Sequence, residues 1–151
     1  MGTTLEVRDA LRNSSGKPLE LENGGQWFNV EDREAVVGSV AARQCALGVG
    51  STFRPYHGLV FDPSMQHEEV YKIVGVLKPS NTPIDRVVFI PLEGFYRMKG
   101  HVLRGAGKDY VPQADQPIPD QDKELSSVLL KLKSPQAGFN MDYTKIGRAH
   151  V

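Results

Sequence analysis

The stretch Val70-Tyr71-Lys72-Ile73-Val74-Gly75-Val76-Leu77 decides the fold class. β-Branched and aromatic side chains dominate it and Lys72 is its one charge, the composition of a strand buried in a sheet. Lys78-Pro79-Ser80-Asn81-Thr82-Pro83 follows, and two prolines among polar turn formers break the strand. Arg86-Val87-Val88-Phe89-Ile90 reads as a second strong strand. Pro91 can then open a short helix whose buried face is Leu92, Phe95 and Tyr96, at i, i+3 and i+4.

Towards the N-terminus, Ala35-Val36-Val37-Gly38 is a short apolar run suited to another buried strand. Ser39 offers an N-cap for a helix over residues 40–47, on which Val40, Ala41, Cys45 and Leu47 share one sector. Gly48-Val49-Gly50 turns the chain into a strand at residues 51–54. Residues 105–122 carry two glycines, three prolines and repeated Gln and Asp, and read as a long flexible insert. Order resumes at residues 126–133, where Val128, Leu130 and Leu132 alternate with Ser127, Lys131 and Lys133 as in a strand with one wet face. Ser134-Pro135-Gln136 could start a last short helix.

The fold class is therefore α+β, a strand-dominated mixed sheet with short helices. Residues 1–24 form a polar N-terminal segment with a turn at Ser14-Ser15-Gly16-Lys17-Pro18, residues 25–144 a single domain, and residues 145–151 a tail that continues no pattern. A chain of 151 residues with 40% hydrophobic and 24% charged side chains can bury a real core.

Charge and cysteine content narrow the function classes. Eighteen basic and eighteen acidic residues cancel, so no basic excess points to nucleic acid and no polybasic patch to a membrane surface. Cys45 is the single cysteine and cannot form a disulfide within the chain; it reads as a small buried apolar side chain. No signal peptide is visible after Met1, and residues 35–50 are too short and polar to span a bilayer, so the fragment is expected to be soluble.

No catalytic motif survives inspection. Gly16-Lys17 runs into Pro18 and Gly107-Lys108 into Asp109, so neither makes a phosphate loop. Gly38-Ser39-Val40 lacks the spacing of a nucleophile elbow. His67-Glu68-Glu69-Val70-Tyr71 opens like a zinc-protease helix, but Tyr71 stands where the second histidine is required. The expectation is a non-enzymatic chain with no catalytic residue, no cofactor and no assigned metal site. One constellation stands as the alternative: His57, His67 and His101 each lie just outside an expected strand or helix, and three imidazoles could hold zinc or copper. Their irregular spacing argues for ordinary loop histidines and against tight metal binding.

Three stretches, in this order and spacing, resemble the extracytoplasmic core domain of MacB-like and FtsX-type ABC transporter permeases. The first runs from Gly25-Gln26-Trp27-Phe28 through Glu34-Ala35-Val36-Val37-Gly38-Ser39-Val40-Ala41 to Leu47-Gly48-Val49-Gly50-Ser51-Thr52-Phe53. The second is Tyr71-Lys72-Ile73-Val74-Gly75-Val76-Leu77-Lys78-Pro79. The third is Thr82-Pro83-Ile84-Asp85-Arg86-Val87-Val88-Phe89-Ile90-Pro91-Leu92-Glu93. The resemblance implies a non-catalytic domain on the periplasmic side of the inner membrane, anchored in a longer protein between two transmembrane helices. It implies an ABC ATPase subunit and a second permease copy as partners, and a periplasmic adaptor or cargo protein as a further one, with no nucleic acid. Such a domain binds cargo or partner proteins and transmits ATP-driven conformational change across the membrane. The resemblance gives no catalytic residue and no identity for the cargo.

Overall fold

The computed structural model describes residues 1–57, 60, 62–99, 101 and 118–129. They form a mixed α+β fold around a five-stranded sheet. In chain order the elements are β1 (Gly2–Thr3), α1 (Val7–Ala10), β2 (Glu34–Val37), α2 (Ser39–Gln44), β3 (Thr52–Phe53), β4 (Tyr71–Val76), β5 (Val88–Pro91) and α3 (Leu92–Tyr96). The strand order is β1-β5-β2-β4-β3. β2 lies parallel to β4 and antiparallel to β5, while the edges are β1, parallel to β5, and β3, antiparallel to β4. No helix among the described residues is long and apolar enough to cross a membrane.

β4 is apolar except for the exposed Lys72, because both faces of the sheet are covered. On one side Tyr71, Ile73 and Val76 join Ala35, Val37 and Ile90 under Ala42 of α2, Phe95 of α3 and Met98. On the other, Val74 and Leu77 join Val36 and Phe89 under Val7, Leu19, Leu21, Trp27 and Phe28. Strict alternation would put Val76 with Val74, yet it sides with Ile73. The pairing explains this: Ala35 faces Ile73 and Val36 faces Gly75, so Val74 is an extra residue and the strand changes phase there. Gly75 belongs at that bulge, since a Cβ on it would sit 2.4 Å from the Gln26 carbonyl oxygen.

Several sequence expectations need correction. Residues 1–24 are part of the fold: β1 is a sheet edge, and Val7 is 2% exposed in the second core. Their apolar side chains come singly among polar ones, so no run marked them as core. Ser39 is the first residue of α2 and not its cap; Gly38 takes that place, with no side-chain cap bond. Cys45 is exposed, because α2 stops at Gln44 and Ala46 turns left-handed at φ 52°, which takes Cys45 off the helical wheel. Residues 83–86 form a 3-10 turn capped by Thr82, so β5 starts at Val88. Residues 126–129 form no strand with the described residues, while residues 130–133 and the helix expected at 134–136 lie outside the described residues. Of the expected insert, residues 105–117 also lie outside. Its end packs on α3, where Ile118 is 3% exposed beside Tyr96.

The turn between β4 and β5 is held by a buried carboxylate. Asp85 accepts from the amides of Ser80 (2.8 Å) and Asn81 (2.9 Å). Burial works against its charge, but these hydrogen bonds prevail and hold its carboxyl below the usual range.

Candidate metal centre

A short ribbon carries two of the three histidines. Tyr56 bridges Gln66 in antiparallel fashion, flanked by bonds from the His57 amide to the Met65 carbonyl (3.0 Å) and from the His67 amide to the Pro55 carbonyl (2.9 Å). Residues 57 and 67 each stand one step from that bridge, so both side chains leave the same face of the ribbon. The far end is closed by a 3-10 turn at Pro63–Met65, capped by Asp62, which accepts from the Ser64 amide and hydroxyl.

His101 arrives from the other direction. After α3 the chain coils on through bonds from Met98 to Phe95 and from His101 to Met98, with Met98 buried in the first core. The Tyr71 hydroxyl donates to the Gly94 carbonyl at 2.9 Å and ties β4 to α3. Burial pushes that phenol up to about 12, which keeps it a neutral donor. The His101 ring then lies edge-on to Phe95, with centroids 4.3 Å apart.

The three rings meet. His67 Nε2 lies 2.9 Å from His57 Nε2 and 3.1 Å from His101 Nε2. One nitrogen from each residue falls within 4.8 Å of the others, a grouping able to hold a metal ion. A zinc ion bound at roughly 2.0–2.1 Å in a tetrahedron would need nitrogens roughly 3.3–3.4 Å apart. The two pairs that share His67 fall a few tenths of an ångström short of that spacing, and the third pair lies within 4.8 Å, so the rings would have to readjust to surround an ion. Neutral imidazole is the ligating form, and the surroundings favour it. Burial, then the neighbouring His57, hold His67 below its ordinary value, against the pull of Glu69. Burial, then His67 and His57, bring His101 down to about 4. Three nitrogens on one side would leave further positions for water or an incoming donor, as in an open zinc or copper site.

All three histidines singled out in the sequence are thus brought together, although they stand 10 and 34 residues apart. Irregular spacing in the sequence does not prevent this meeting, because the rings come from a ribbon and from the coil after α3. Glu69 was not singled out for this site. Its Oε2 lies 3.8 Å from His67 Nδ1; the one sequence signal was the i, i+2 step from His67 in a segment leading into a strand. No protein-family model, curated protein or solved structure matches the chain.

Proposed function

We propose that the chain is a metal-binding domain that takes a divalent first-row ion of the zinc or copper kind on His57, His67 and His101. The observation that carries this reading is the convergence of three imidazole nitrogens from separate elements, with His67 and His101 in a setting that favours the neutral ring. Loop histidines free to choose would point their polar edges into water, yet these three turn ring nitrogens toward one another at 2.9 and 3.1 Å. Calorimetric titration of the metal-free protein with zinc tests the reading. One equivalent should bind with sub-micromolar affinity and raise the unfolding temperature, because an ion that binds only the folded state stabilises it. No saturable uptake would refute it.

A second reading concerns the larger protein. The stretches that resemble MacB-like and FtsX-type permeases include β2 with its turn into α2, β4, and β5 with its passage into α3, so the likeness falls on the three central strands and their connections. On this reading the chain is the extracytoplasmic domain of an ABC transporter permease, working with an ATPase and a second permease copy and meeting cargo or adaptor proteins on the periplasmic side. The two readings are compatible, since the histidines lie beside the sheet and not within it. A reading frame with an apolar segment of about 20 residues on each side, next to an ATPase gene, would support the permease context; a frame lacking both would oppose it.

A further inference from the structure

We propose that Glu69 is the positioning residue of the metal centre: its carboxylate takes the Nδ1–H of His67 and so presents Nε2 of that ring to the ion. This rests on the metal-binding reading above. His67 is the middle ligand, since its Nε2 faces both other imidazoles at 2.9 and 3.1 Å. Its remaining nitrogen, Nδ1, lies 3.8 Å from Glu69 Oε2, and the two side chains are 9% and 11% exposed. That oxygen is shut off from solvent and has no hydrogen-bond partner among the described residues. A buried carboxylate oxygen left unpaired is costly, and the nearby ring N–H is the donor that would satisfy it.

A metal on Nε2 supplies the missing step. It withdraws electron density from the ring, makes Nδ1–H a stronger donor, and draws the pair from 3.8 Å into hydrogen-bond range. The carboxylate in turn fixes the tautomer and makes the ligating nitrogen more basic. Glu68, next in the chain, is exposed and does not do this.

Zinc titration and 15N-histidine NMR on the same proteins test the proposal. In zinc-loaded wild type, His67 should show a metal-bound Nε2 and a protonated, hydrogen-bonded Nδ1. Glu69→Ala should bind zinc roughly 10–100-fold more weakly, the usual cost of losing such a partner. Glu69→Gln keeps an acceptor oxygen and should fall between the two. Metal-free unfolding midpoints separate positioning from general damage: the loss of zinc affinity should exceed any loss of stability. Wild-type zinc affinity in Glu69→Ala, or a His67 bound through Nδ1, would overturn the role of Glu69 while leaving the metal site standing. Failure of the wild type to take up zinc would overturn both. Should Glu69→Ala fail to fold, the wild-type spectrum and Glu69→Gln still decide.

Discussion

Replacing His67 by alanine is expected to abolish stoichiometric zinc binding while leaving the fold intact. His67 is the ligand whose Nε2 touches both of the others. Removing it takes away one donor of three, so the loss should exceed the roughly 10–100-fold typical of an outer-shell partner. The His67 side chain is only 9% exposed, so its removal leaves a gap, and the metal-free variant should still unfold cooperatively but at a somewhat lower midpoint than wild type. The pH dependence follows from the direction of the shifts. His101 sits at about 4 and His67 below 6.5, so both are neutral at pH 7. At these two residues protons compete with the ion on the acid side of 6.5, and zinc should be released there. The metal-free fold should weaken over the same range: from 6.5 down to about 4 the unfolded chain takes up a proton that folded His101 does not. Retention of zinc by His67→Ala would contradict the assignment.

Gly38→Ala should be the most damaging methyl that can be added to the sheet–helix junction. A Cβ there would lie 2.4 Å from the Ile84 carbonyl oxygen and 2.6 Å from the Asp85 carbonyl, all backbone. Neither side can yield easily. Gly38 donates to Val87 at 2.8 Å, and the facing turn is held by Asp85 through the amides of Ser80 and Asn81. A loss of about 3 kcal/mol is expected, the upper end for overpacking, read as a lower urea midpoint. Gly48→Ala is the control: a Cβ at that position meets nothing within 4 Å, so its midpoint should barely move. Equal midpoints for the two variants would mean that β2 and the Ile84 turn do not meet as described.

How much of this was legible in the sequence differs from element to element. β2, β4 and β5 were readable because each concentrates apolar, β-rich side chains in an unbroken run, and α3 because Leu92, Phe95 and Tyr96 keep helical spacing behind Pro91. What escaped depends on contacts distant in sequence. Val7, Leu19 and Leu21 are scattered among polar residues and become core only when the chain passes over the far face of β4. The end of α2 escaped because a left-handed Ala46, not the glycines that follow, sets it. Among the site residues, the histidines were visible as candidates, but their meeting was not. It depends on the Tyr56–Gln66 bridge and on the coil after α3, neither of which has a composition signal. The part played by Glu69 depends on the 3.8 Å approach to His67 and could only be read from the fold.

X-ray absorption on the zinc-loaded chain measures the central claim at the ion itself. The prediction is a first shell of nitrogen and oxygen at roughly 2.0–2.1 Å, with outer-shell scattering from three imidazoles. That scattering should fall to two imidazoles, or vanish with the bound metal, in His101→Ala. A shell of oxygen without imidazole scattering would contradict the site, as would sulfur at roughly 2.3 Å from the exposed Cys45.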